Sequence, residues 1–173
     1  PAAFLNQPSA TGFYKGGMAR YDLFSVGSRD FIIAGIGYYH DEVALNFIDA
    51  ALKSHPGSTA ILCLHSYLNA DASFTEVADE LHQLVLNNPN VKLVLCGHRQ
   101  GVSRRVFELD DDGDGAPDRQ VLAMLANYQG GKKGGEGFLH ILTFDPASGR
   151  VSAEAYSPYL DELRKADEGI VLW

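Results

Sequence analysis

The sequence predicts an α/β fold with an α+β mix, a parallel βαβαβ part followed by antiparallel strands, in a single domain of 173 residues. Three observations predict it. Apolar runs alternate with helical patterns as far as "VKLVLCG"; from Gly101 onward the texture changes to strands joined by short turns; and 46% hydrophobic residues suffice for a core.

"YDLFSV" and "RDFIIAGIG" are rich in aromatic and branched residues and are separated by Gly27 and Ser28, which predicts a hairpin. From Asp41, the residues Val43, Ala44, Phe47, Ile48, Ala51 and Leu52 recur at helical spacing, and His55-Pro56-Gly57 closes the helix. "TAILCLH" is a short buried strand. Ser73-Phe74-Thr75-Glu76 has the capping-box pattern and opens a second helix with Phe74, Val77, Ala78, Leu81, Leu84 and Val85 on its inner face. "NNPN" ends that helix and leads into "VKLVLCG", so strand, helix, strand, helix, strand make parallel units with right-handed crossovers. "GVSRRVFEL", "RQVLAMLAN", "GFLHILTFD" and "RVSAEAYS" follow as an antiparallel half.

A formal charge of -8 and a pI near 5.1 leave no basic footprint for nucleic acid or an anionic membrane surface. No apolar run reaches the length of a membrane span. The opening "PAAFLNQPSATGFY" has neither an initiator methionine nor a signal-peptide pattern, so the chain reads as a piece of something longer. Cys63 and Cys96 each precede a histidine by two residues; buried free thiols and a cross-strand disulfide are both open readings.

His65 follows "AILCL" as His98 follows "KLVLCG". Two parallel strands joined by one helix each deliver an imidazole to the carboxyl edge of the sheet, where open α/β sheets place their ligands, and Gly97 allows the sharp turn that presents His98. Matched histidines on rigid elements are what zinc, iron or manganese requires. The competing reading is that each merely hydrogen-bonds at a strand end.

"DDDGDGAPD" offers a second constellation. Asp110, Asp112, Asp114 and Asp118, with Gly113 and Gly115 in the turn, have the spacing of a calcium loop, but Val121 stands where an EF-hand has its bidentate glutamate, which favours a solvated acidic turn over the calcium reading. "NYQGGKKGGEG" fails the phosphate-loop pattern because neither Lys132 nor Lys133 precedes a serine or threonine; it reads as a flexible loop beside the site. "HSY" lacks the nucleophile-elbow pattern, and His40, His55, His82 and His140 read as surface or cap residues.

"ILCLHSYLN" and "LVLCGHRQG", with His65 and His98 33 positions apart, resemble the carboxyl-terminal half of a calcineurin-like metallophosphoesterase. That family carries D-x-H, G-D-x-x-D, G-N-H-D/E, a lone histidine after a strand, and G-H-x-H; the last two match at His65 and at Gly97-His98. "SRDFIIAGI", "MLANYQ", "GEGFLHILTFDP" and "YSPYLD" are similar to secreted or envelope-associated bacterial members. The resemblance implies half of a four-layer αββα sandwich, residues 1–173 forming a partial domain whose amino-terminal half is absent. It also implies two divalent or trivalent ions (manganese, iron or zinc), with His65 and His98 on one of them and Gln100 where the other's histidine would stand. Asn127 and Tyr128 would line the substrate side, the substrate would be a small-molecule phosphoester, and nucleic acid and membrane insertion are not expected. The first three motifs, which supply the carboxylates, the asparagine and the general acid, are missing here, so no catalytic residue is assigned. The half-domain should expose an edge of the parallel sheet and an apolar face. An interaction or envelope domain that keeps the fold without catalysis is the alternative.

Overall fold

The computed structural model describes residues 10–145 and 147–171; the opening segment 1–9, which carries most of the atypical start, lies outside them. Among the described residues, ten strands and two α-helices run in the order β1 Ala10–Tyr14, β2 Ala19–Val26, β3 Arg29–Ile36, α1 Glu42–Ser54, β4 Thr59–Leu64, α2 Ala78–Asn87, β5 Val91–Cys96, β6 Gly101–Leu109, β7 Arg119–Asn127, β8 Leu139–Asp145, β9 Arg150–Ser157 and β10 Glu162–Val171. A seven-stranded sheet has the order β1-β2-β3-β4-β5-β7-β6, and a second sheet the order β10-β9-β8.

β3, β4 and β5 are parallel, as the alternating pattern predicts, and β2–β3 is the expected hairpin. The carboxyl half is less uniformly antiparallel than expected. β7 pairs parallel with β5 and brings β6 with it as an antiparallel edge strand. The parallel strands are therefore interior, and the sheet ends on the antiparallel strands β1 and β6 instead of a parallel edge. β1 and β10 were not foreseen: the first is short, and the charged sequence "ELRKADEGIV" hides the second.

The four-layer αββα sandwich is corrected. The described residues are mostly strand and stack in three layers: two helices, the mixed seven-stranded sheet, and the three-stranded sheet. Ala44, Ile48, Leu52, Leu81 and Val85 of the helices pack on Ile32, Leu62, Val94 and Leu125 of the large sheet. On the opposite face, Phe31, Ile61, Leu93, Leu122 and Met124 pack against Val151 and Ala153 of β9. That face is taken by strands, so among the described residues no helix forms a fourth layer; Leu139 and Ile141 of β8 stay exposed.

α1 starts as predicted, with the Asp41 side chain accepting from Ala44 N at 2.8 Å, and ends on His55, whose Nδ1 meets Ala51 O at 2.8 Å. The capping box at Ser73 does not open α2, which begins at Ala78 after Val77, without a side-chain cap. Ser73 Oγ donates instead to Asp71 Oδ1 at 2.6 Å, Leu68 and Phe74 form an isolated bridge, and Glu76 pairs with Arg99. Local turn chemistry captures the serine before the helix can use it. The cysteines are free: Cys96 packs on the helical side and Cys63 toward the second sheet, so facing opposite layers prevents their pairing. No helix among the described residues is long and apolar enough to cross a membrane.

Candidate metal centre

Leu64 of β4 and Cys96 of β5 are paired in register, so the chain leaves both strands at the same level of the sheet. His65 follows directly. Gly97 comes next on the other strand, and its N–H donates to His65 O at 3.3 Å, stitching the two turns together. His98 adopts φ of 62°, a left-handed conformation that a non-glycine residue holds only when its surroundings enforce it. Asn127, at the end of β7, supplies part of that enforcement by donating from Nδ2 to His98 O at 2.9 Å. The outcome is an imidazole pair in which His65 Nε2 and His98 Nδ1 share a hydrogen bond at 3.0 Å, a bond that an ion held by both nitrogens would replace.

Twice a metal–nitrogen bond of about 2.0–2.1 Å exceeds that separation, so one point lies at bonding distance from both nitrogens. Burial, and then the neighbouring His98, hold the His65 pKa below the ordinary histidine value, favouring the neutral form that a metal needs. A donor set of two exposed imidazoles fits a borderline transition ion, with further ligands to come from elsewhere.

The other expected residues take separate places. The Gln100 side chain lies against Gly130, where an added Cβ would sit 2.3 Å from its Cδ and Oε1. Asn127 supports His98 as described, whereas Tyr128 turns to His140, its hydroxyl 2.8 Å from Nε2. The glycine loop after it is tightly turned: Gly131 N donates to Tyr128 O at 2.8 Å, and a Cβ on Gly135 would collide with that same carbonyl. Phe138 stands 5.6 Å from the Tyr128 ring and helps line a cavity of about 380 Å³ with Asn127 and Tyr128.

The acidic constellation sits at the far end of the sheet, between β6 and β7. Ligand atoms of Asp110, Asp112 and Asp118 lie within 4.8 Å of one another; Asp114 stands outside the group. These carboxylates already have donors. Asp110 accepts from Gly113 and Gly115 N, Asp112 from Asp114 N, Asp114 from Ala116 N, and Asp118 from Asp111 and Asp112 N. Val121, at the twelfth position, is fully buried in β7 and offers no ligand.

Sequence reasoning missed Tyr38. It lies in the turn leaving β3, the neighbour of β4, and its ring centroid is 4.8 Å from His65 and 5.5 Å from His98. The position was recoverable, because "GYY" follows a parallel strand just as His65 does. Arg99 was also missed; its guanidinium forks onto both Glu76 carboxylate oxygens beside the pair. The four remaining histidines hold local partners: His55 caps α1, His40 meets Glu80, His82 meets Tyr67 and His140 meets Tyr128.

No protein-family model matches the chain. It is similar to the Uncharacterized protein YvnB of Bacillus subtilis (strain 168), with 41% identity over 157 residues. The match takes in 90% of this chain and 12% of that protein, so the chain spans about an eighth of the length of the curated relative it matches.

Proposed function

We propose that this chain supplies the two-histidine side of a dinuclear metal centre in a phosphoester hydrolase, working on a small-molecule substrate in a secreted or envelope setting. The observation that carries this reading is the 3.0 Å approach of His65 Nε2 to His98 Nδ1 from the ends of neighbouring parallel strands. Both histidines would hold one manganese, iron or zinc ion; bound metals would supply Lewis-acid polarisation of the phosphoryl group and acidify water. The imidazoles position and move no proton themselves. Asn127 fixes the His98 backbone, and Tyr38 closes one side of the pair. The carboxylates and the general acid would come from polypeptide beyond these residues.

The test uses the full-length polypeptide loaded with manganese or zinc. His98→Ala should lower both metal content and hydrolysis of a generic phosphomonoester, and full retention of both rejects the assignment. A second reading, an interaction or envelope domain that keeps the fold without catalysis, draws on Gln100, whose side chain packs on Gly130. Gln100→His separates the two. Raised occupancy of a second ion favours the hydrolase, whereas unchanged occupancy together with absent hydrolysis favours the interaction domain.

A further inference from the structure

The turn after β3 carries two adjacent tyrosines at the mouth of the histidine pair. Tyr39 is 82% exposed and Tyr38 48% exposed, and their rings meet edge to face with centroids 4.8 Å apart. Tyr38 in turn borders both imidazoles. Beside it lies a narrow crevice in which Ile36, Val77 and Leu81 line the apolar side and Tyr38, His65 and Ser66 the polar one. Ser66 is 3% exposed, and its hydroxyl has no hydrogen-bond partner among the described residues, although a buried hydroxyl normally has one. The crevice thus combines apolar walls with one unsatisfied hydroxyl, and His65 of the pair lines it beside Tyr38.

From this arrangement we infer that Tyr38 and Tyr39 form the leaving-group subsite and select phosphoesters whose alcohol is a planar aromatic group. The inference rests on the phosphoesterase reading above. An ester with its phosphoryl group at the histidine pair would carry its alcohol beside Tyr38, whose ring centroid is 4.8 Å from His65 and 5.5 Å from His98 and meets Tyr39 at 4.8 Å, and aromatic rings attract at centroid separations of about 4.5–7 Å. Tyr38 is committed to the histidines and to Tyr39, so the ring face left for a ligand belongs to Tyr39. A tyrosine gives such a contact at low entropic cost because two torsions fix it. The Ser66 hydroxyl, 3% exposed in a crevice of about 10 Å³, has room for a bridging water.

The experiment compares phenyl phosphate with glycerol phosphate as substrates of the full-length, metal-loaded polypeptide. The ratio of kcat/KM values, aryl over alkyl, should fall about tenfold in Tyr39→Ala and be kept by Tyr39→Phe, the loss expected for one aromatic stacking partner. A side chain so exposed can be truncated without unfolding the protein, and a thermal melt checks this. If the wild type turns over both esters and Tyr39→Ala leaves the ratio unchanged, the subsite is wrong and the phosphoesterase reading survives. If the wild type turns over neither, both fall.

Discussion

The two ends of the seven-stranded sheet each gather candidate metal ligands, and they differ in what those ligands are already doing. At the carboxyl end of β4 and β5, two imidazole nitrogens face each other at 3.0 Å on a backbone held at φ of 62° for His98. At the other end, between β6 and β7, the aspartates spend their oxygens on N–H groups of their own turn and on Arg119. Charge-assisted hydrogen bonds to backbone amides are one reason for aspartate in such a turn, and they leave ligand atoms of Asp110, Asp112 and Asp118 within 4.8 Å of one another. At the histidine end the two ring nitrogens are hydrogen-bonded to each other, and Tyr38 packs against both rings. The two ends therefore differ in the kind of partner their ligand atoms hold: backbone amides at the acidic turn, a second imidazole at the strand ends.

The largest effect separating the two ends is on metal affinity. His65→Ala should weaken metal binding in the full-length polypeptide by more than about a hundredfold, since even supporting residues around a metal cost 10- to 100-fold, whereas Asp110→Ala should leave the affinity of that centre unchanged. Isothermal titration with zinc or manganese reads both. A fall of equal size in Asp110→Ala would erase the distinction.

Next comes stability at the acidic end. Arg119 is 7% exposed and is held by Asp111 Oδ2 at 2.6 Å, Val85 O at 2.8 Å and Val91 O at 3.3 Å. Removing its one carboxylate partner among the described residues leaves a buried cation short of compensation, so Asp111→Ala should destabilise by about 3 kcal/mol in denaturant unfolding, at the low end of such losses because Asp111 is partly exposed. Asp110→Ala, which loses two backbone contacts in a solvated turn, should cost clearly less than Asp111→Ala. Calcium should protect neither variant nor wild type if the turn is purely structural; a clear rise in Tm on adding calcium would show a cation site there.

Asn127→Ala tests the support beneath the histidine end. Loss of the bond to His98 O should lower metal affinity about tenfold with little change in Tm, and the reverse pattern would make Asn127 a packing residue.

The smallest effect is on pH dependence. His82 meets the Tyr67 hydroxyl at 2.5 Å, and burial, then the nearby Arg105 charge, hold its pKa below 6.5 in the fold. Above pH 6.5 both folded and unfolded chains keep His82 neutral; as pH falls further, the unfolded chain takes the proton first, so stability declines until the depressed folded value is passed. His82→Gln should flatten that part of a Tm–pH curve, and an unchanged slope would place the dependence elsewhere.

How much was legible follows from which interactions are local. The βαβαβ part could be read because buried parallel strands are short apolar runs, "AILCL" and "KLVLC", and α1 announces itself with Asp41 and closes at His55. The pairing of β7 with β5 could not be, since "RQVLAMLAN" is apolar enough for any interior place in a sheet. The four-layer expectation failed because β8, β9 and β10 cover the second face as a sheet, and the charged β10 gives no apolar alternation to see. The histidine pair was legible from matched strand ends. Tyr38 and Asn127 were legible only in position, since their contacts with the pair depend on turns that no periodicity encodes. Gln100 was read as a metal position, yet its packing on Gly130 arises from the fold of a loop some thirty residues away.

The central claim is that His65 and His98 act on one and the same ion. Metal content of the full-length polypeptide, measured by mass spectrometry for wild type, His65→Ala, His98→Ala and the double variant, tests it most directly. Sharing predicts that each single variant loses the same single ion and that the double variant loses nothing more, because interacting sites are non-additive. Retention of full metal by either single variant, or a double variant that loses one ion more than each single, would contradict it.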